Sequence, residues 1–325
     1  MLSIGGSTEW SRSRSSFRKV HLRQLNRLSA VICCGRRVPD SPLPKPLDRS
    51  MLATQIAGKP QARLDTGSEA AMTVKLYAFT CGTVTAEFGR LMEGGEGDIT
   101  LPVPVFLIEH PKGRALFDTG LHPDCQRDPA RRLGTRLAGL FRIGFQPGEE
   151  VSARLEAIDR DPGTIDLVIN SHFHFDHAGG NALIRNATML VQRREWEAGM
   201  DPDTAARRGF NPRDFDLGHK LRLVDGEHDV FGDGSVVCLP THGHTPGHQS
   251  LRVRHDGGEV VLAADACYFC QTLRERRLPR YVDDIEAMLA ALDRLEALER
   301  AGARIFFGHD PEFWRTVPQA PTLIA

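Results

Sequence analysis

The stretch "INSHFHFDHAGGN", residues 169–181, decides how this chain is read. Three histidines and an aspartate fall within the six positions 172–177, directly after the apolar run "IDLVIN" (165–170). That run fits a short buried strand. Just beyond it the chain is still extended, so residues two apart point the same way, which aims His172 and His174 at one point. The chain then turns, and Asp176 and His177 can face a second point nearby. Ala178, Gly179 and Gly180 are small enough to let the backbone bend closely around such a site. Imidazole nitrogen and carboxylate oxygen are the donors that Zn²⁺ and similar divalent ions prefer. With 13 histidines in 325 residues, H-x-H-x-D-H should arise by chance on the order of once in a thousand such chains.

Three further places follow the same logic. "THGHTPGHQ" (241–249) leaves the apolar run "SVVCLP" and offers His242, His244 and His248. "LAADACY" puts Asp265 at the end of a strand-like run, and "IFFGHD" puts His309 and Asp310 at the end of another. Each alone reads more readily as a turn or cap than as a ligand. Together with 172–177 they supply the roughly seven protein ligands that two ions and a bridging carboxylate need. All four places follow a β-type run, so they are expected to converge on one edge of the sheets.

Composition sets the frame. Hydrophobic residues are 41% and charged residues 26%, ordinary for a globular protein with a sizeable core. No apolar run approaches the roughly 18–20 residues of a membrane-spanning helix; an early candidate, "LSAVICC" (28–34), is far shorter. Residues 1–71 hold 12 Lys/Arg against 5 Asp/Glu, while 72–325 hold 29 against 37. The acidic main body argues against nucleic acid as a partner. Seven cysteines without regular spacing do not suggest a disulfide framework, and they fit a reducing, cytoplasmic compartment. The CxxC pair Cys267 and Cys270 reads as two idle thiols.

Residues 1–71, rich in Ser, Arg and Pro, lack the sustained apolar period of a packed element and read as a disordered basic extension. An acid-poor Arg/Ser start also suits a targeting peptide, and "MTVKLYAFT" from Met72 equally suits an over-long start. From 72 to 325 strands and helices alternate in one domain. Strands are expected at 73–80, 104–110 and 114–120, the last two joined by the turn "HPKG", and again in "SVVCLP", "HQSLRVRH", "GEVVLAAD" and "RIFFGHD". Helices are expected at 151–159, in "RREWEAGM", and over 282–302, which has acids near its start and Gly302 near its end. Two largely antiparallel sheets covered by helices fit this mix better than one parallel sheet.

These residues resemble the metallo-β-lactamase superfamily over roughly 72–320. That resemblance implies an α/β fold, an αβ/βα sandwich of two mixed β-sheets flanked by helices, with a dinuclear site along one edge. It implies that one metal takes His172, His174 and His244, that the other takes Asp176, His177 and His309, and that Asp265 bridges them; the expected ions are two Zn²⁺. Within the superfamily, "SHFHFDHAGGN", "GHTPGHQS", "DACY", "FGHD", "LFDTG" (116–120) and "MTVKLYAFTCG" are similar to the N-acyl-homoserine lactonases, which silence quorum sensing. Tyr268 matches the tyrosine that contacts the lactone there. His242 stands where those lactonases usually carry proline, so His242 and His244 both offer a ring; His244 begins the "HTPGH" portion that matches.

The resemblance implies a small-molecule substrate, an acylated lactone, opened by hydroxide from a water shared by the ions. Tyr268 would hold the oxyanion and Asp176 would shuttle the proton. His248 is expected to support its loop, and Asp118 and Thr119 to orient metal ligands by hydrogen bonding. Segments 88–103 and 132–146 are candidate loops for an apolar trough. A glyoxalase II-like thioesterase uses the same ligand set, and "RERRLPR" (274–280) could serve glutathione. A non-catalytic metal-binding or redox module is the alternative from another class. A homodimer is left open.

Overall fold

The computed structural model describes residues 74–324; the basic extension expected over 1–71 lies outside the described residues. Among the described residues, twelve strands form two sheets. The first contains β1 (Lys75–Glu87), β2 (Asp98–His110), β3 (Gly113–Phe117), β4 (Arg142–Gly144), β5 (Leu167–Ile169), β6 (Thr188–Gln192) and β7 (Leu221–Val224). The second contains β8 (His228–Asp229), β9 (Val236–Pro240), β10 (Gln249–His255), β11 (Gly258–Leu262) and β12 (Arg304–Phe306). Their orders are β4-β1-β2-β3-β5-β6-β7 and β12-β11-β10-β9-β8.

The second sheet is largely antiparallel, as expected, with β11 and β12 parallel at one edge. The first is not. β1, β2, β3 and β4 pair antiparallel, but β3 with β5, β5 with β6 and β6 with β7 pair parallel. Parallel neighbours need crossovers, and the helices Val151–Glu156, Phe175–Ala178, Arg193–Met200 and Pro202–Arg208 lie in those connections. The "HPKG" turn closes the β2–β3 hairpin, His110 pairing with Gly113.

The two sheets form a sandwich because their strands alternate. In β1, Leu76 and Ala78 face one cluster with Phe106, Phe117 and Ile169 of the first sheet and Cys238, Leu251, Val260 and Phe306 of the second. Tyr77 and Phe79 point the other way, onto Val151 and Leu155 of the helix Val151–Glu156. The far face of the second sheet, Val237, Leu239, Val261 and Ile305, is covered by Ala291, Leu292 and Leu295 of the helix Ile285–Arg300. That helix buries Met288, Ala291, Leu292 and Leu295, spaced i, i+3, i+4 and i+7, and Asp284 caps its start by accepting from the Ala287 N–H. Four layers result: helix, sheet, sheet, helix. Among the described residues no helix is long and apolar enough to cross a membrane.

Strand direction decides where the site can be. β9 and β11 flank β10 antiparallel, so both run the same way, and β12 runs parallel to β11. The C-terminal ends of β9, β11 and β12 therefore share one end of the second sheet. β3 and β5 likewise end together in the first.

Leu292 is fully buried under the second sheet. Leu292→Ala should cost about 2–5 kcal/mol. Urea unfolding checks it: the midpoint should fall with the slope m unchanged.

Candidate metal centre

The segments just past these strand ends hold every candidate metal ligand singled out from the sequence. Asp118 follows β3 with φ of 61°, a left-handed backbone that aspartate tolerates better than most residues. Its carboxylate accepts from the Ser171 N–H at 2.7 Å, the Ser171 hydroxyl at 2.7 Å and His177 Nδ1 at 2.8 Å. The Thr119 N–H donates to the His177 carbonyl at 2.8 Å and its hydroxyl to Asn181 Oδ1 at 2.9 Å. Asp118 and Thr119 thus tie the end of β3 to the segment after β5. The contact is tight: a Cβ on Gly180 would stand 2.2 Å from the Thr119 carbonyl oxygen.

The seven expected donors come together as two groups. His172, His174, His244 and Asp265 form one, and Asp176, His177 and His309 the other, with donor atoms inside each group within 4.8 Å of one another. His174 Nδ1 lies 2.9 Å from His172 Nε2 and 3.0 Å from His244 Nε2. His177 Nε2 and His309 Nε2 are 3.3 Å apart, and each is 3.7 Å from Asp176 Oδ2. Asp265 faces both groups. Its Oδ2 lies 3.2 Å from His244 Nε2 and 3.6 Å from His172 Nε2. Its Oδ1 lies 3.1 Å from His177 Nε2 and 3.0 Å from His309 Nε2.

The chemistry of this donor set fits cations. Four rings have their outward nitrogen beside an acceptor. His174 Nε2 donates to the Arg208 carbonyl at 2.8 Å, His309 Nδ1 to the Pro102 carbonyl at 2.8 Å and His177 Nδ1 to Asp118. His172 Nδ1 lies 2.9 Å from the Ser171 hydroxyl, whose own proton goes to Asp118. In a neutral imidazole one N–H is then spent outward, and the inward nitrogen carries a bare lone pair. Lone pairs 2.9–3.3 Å apart repel unless a positive charge sits among them. Asp265 Oδ1 is buried without a hydrogen-bond donor, which a cation would also satisfy.

Electrostatics point the same way. Burial pulls the pKa of His172, His174 and His244 down, the first and last far below the ordinary value. Burial also opposes charge on His177, but Asp265, Asp176 and Asp118 outweigh it and hold its pKa well above normal. In His309, Asp265 and Asp176 outweigh burial in the same sense. Burial pushes Asp265 up, but the surrounding rings of His177, His309, His244 and His172 win and hold it far below the usual range. The second group attracts positive charge, and the first offers neutral imidazoles.

Tyr268 is buried beside both groups, its ring 5.7 Å from His244 and 5.4 Å from His309. Burial, then Asp265 and Asp176, hold its phenol pKa well above 10, so it keeps its proton and can donate. His248 sits behind: its Nε2 accepts the Asp265 N–H at 3.1 Å, and its Nδ1 lies 3.0 Å from the Thr241 hydroxyl. His242 belongs to neither group; its Nδ1 donates to the His248 carbonyl at 3.1 Å. Asp310 caps the helix Pro311–Trp314 and accepts the Cys270 N–H.

Two expectations are corrected. Segments 88–103 and 132–146 are not loops throughout. They hold the helix Phe88–Leu91, the first part of β2, the whole of the helix Thr135–Leu140 and β4, because their apolar residues pack. Phe88, Ile99 and Phe141 meet Leu91, Met92, Leu101, Tyr268 and Phe269 in one cluster. The arginines of "RERRLPR" are largely spent: Arg274 pairs with Glu299, Arg276 with Asp293 and Glu296, and Arg277 with Glu275 and the Glu93 carbonyl. None of the five cysteines among the described residues is in a disulfide, and burial pushes the Cys267 thiol pKa up. Sequence reasoning missed Glu195 and Ser171. Ser171 was within reach, because it adjoins the first histidine. Glu195 was not: nothing in "RREWEAGM" separates it from Glu197.

Comparison with known proteins bears on the same residues. The family model of the metallo-beta-lactamase superfamily matches residues 99–309. The N-acyl homoserine lactonase AttM of Azorhizobium caulinodans is 33% identical over 257 residues, 76% of this chain and 97% of that protein. The N-acyl homoserine lactonase AiiA of Bacillus thuringiensis subsp. kurstaki is 32% identical over 216 residues, 66% of this chain and 83% of that protein. A solved N-acyl homoserine lactone hydrolase, with N-hexanoyl-L-homoserine bound at its catalytic metal centre, superposes with a TM-score of 0.70 at 28% identity, covering 78% of this chain and all of that one. The αβ/βα sandwich, the motifs at its strand ends and these relatives agree: the chain belongs to the metallo-beta-lactamase superfamily and, within it, to the N-acyl homoserine lactonase family.

Proposed function

We propose that this chain hydrolyses N-acyl-homoserine lactones at a dinuclear centre. His172, His174 and His244 would hold one divalent ion and Asp176, His177 and His309 the other, with Asp265 shared. The observation that carries this is the split of Asp265, one oxygen toward each group of donors. All-nitrogen-and-oxygen donors suit Zn²⁺. Two such ions, when bound, supply acidified water and polarise a carbonyl oxygen.

The chain's own residues do the rest. Tyr268 donates its phenol O–H to the oxygen that becomes negative when water adds to the lactone carbonyl. Asp176, only partly buried, takes the proton of the attacking water and returns it to the alkoxide as the ring C–O bond breaks. The products are a carboxylate and an alcohol on one molecule. The cluster of Phe88, Ile99, Phe141 and Phe269 around Tyr268 offers apolar surface to the acyl chain. Paired arginines at 274–277 leave little free positive charge for glutathione, which favours the lactone over the thioester.

The purified chain should open N-acyl-homoserine lactones, followed by acid release, at least tenfold faster than it cleaves a glutathione thioester. The reverse ranking would move the reading to the thioesterases. Metal removal by a chelator should abolish the activity, and Zn²⁺ should restore it. Tyr268→Phe should lower kcat/KM by about 10²–10³ with metal content unchanged; an unaltered kcat/KM would remove the phenol from the mechanism. Asp118→Ala should weaken metal binding about 10–100-fold, read by competition with a chromophoric chelator.

A further inference from the structure

Glu195 is a fully buried carboxylate in the first turn of the helix Arg193–Met200. Such a group normally needs a cationic partner. Among the ion pairs of the described residues it has none, and three neutral donors converge on it instead. Oε1 accepts the Phe173 N–H at 3.1 Å. Oε2 accepts the Thr245 hydroxyl at 2.9 Å and the Gly247 N–H at 2.8 Å.

The identity of these donors matters. Phe173 lies between His172 and His174, and its ring turns away to stack on Phe215 at 4.0 Å. Thr245 and Gly247 flank the turn just after His244. The three donors thus come from the two loops that supply the three imidazoles of the first group. The fit is close: a Cβ on Gly247 would stand 2.1 Å from the Glu195 nitrogen. The second group, Asp176, His177 and His309, receives no bond from Glu195.

We propose that Glu195 is a positioning residue: it holds the 172–174 and 244–247 loops at a fixed separation, so that the three-imidazole pocket is set before a cation enters it. This rests on the metal-dependent reading above. Only a carboxylate serves here, because both its oxygens accept. Glutamine would turn an NH₂ toward one of the N–H donors and break that bond. Burial pushes the Glu195 carboxyl up to about 7, against the pull of the Gly247, Thr245 and Phe173 donors.

The test is a Zn²⁺ titration of the metal-stripped full chain, with urea unfolding of each stripped variant alongside. In Glu195→Gln one of two bound equivalents should weaken at least tenfold, the other staying within twofold. In Asp118→Ala, which bonds His177 directly and reaches His172 only through Ser171, the complementary equivalent should weaken more. Thr245→Val, a milder change, should shift the same equivalent as Glu195→Gln by a few-fold. Equal weakening of both equivalents together with a lower unfolding midpoint would make Glu195 merely structural and overturn the proposal. Unchanged affinities would overturn it too. A wild-type chain that binds no Zn²⁺ would instead overturn the metal-dependent reading beneath it.

Discussion

Everything around the strand ends depends on one electrostatic constraint. Five imidazoles and two carboxylates are packed so that their acceptor atoms face inward, about 3–4 Å apart. Four of the rings spend their N–H outward, on Arg208, Pro102, Asp118 and Ser171. An arrangement of lone pairs without donors is unstable on its own and becomes favourable only around positive charge. The outward acceptors fix tautomer and ring orientation together. The polar network behind the site is therefore part of its chemistry.

The fold meets this constraint at the strand ends, with Asp176 and His177 on the short helix Phe175–Ala178 that follows β5. β5, β9, β11 and β12 each deliver a donor just past their last paired residue. The cost shows as local strain: Asp118 and Ala264, both next to the centre, have positive φ without being glycine. Such strain persists where surrounding bonds over-determine the backbone. Asp118 has three such bonds, and His248 holds the Asp265 N–H directly after Ala264.

Family membership and site geometry speak to different levels of function. Membership, carried by a third of identical residues over nearly the whole length of AttM, fixes the fold and the kind of chemistry. Geometry supports the proposed roles: a phenol whose pKa burial raises beside Asp265, a partly exposed acid at the second group, and an apolar cluster formed where distant segments meet at Tyr268.

Much of the site was legible in the linear chain because its donors are dense and rare. H-x-H-x-D-H after an apolar run fixes which side chains face a common point, since the alternation of an extended backbone and the turn after it are local properties. The helix over 285–300 was legible for the same reason, its apolar period and acidic start being local. Three things were not. The parallel half of the first sheet depends on crossovers that local periodicity does not encode. The choice of His244 over His242 rests, in the sequence, on the resemblance of "HTPGH" and not on geometry; the fold sends one ring to His174 and the other to the His248 carbonyl. Glu195 sits on a helix whose sequence resembles any surface helix; its burial comes from two loops folding over it. The sequence alone determined the donor atoms and their order; the tertiary structure decided which atoms meet and what holds them there, because convergence is a property of strand direction and packing between residues far apart in the chain.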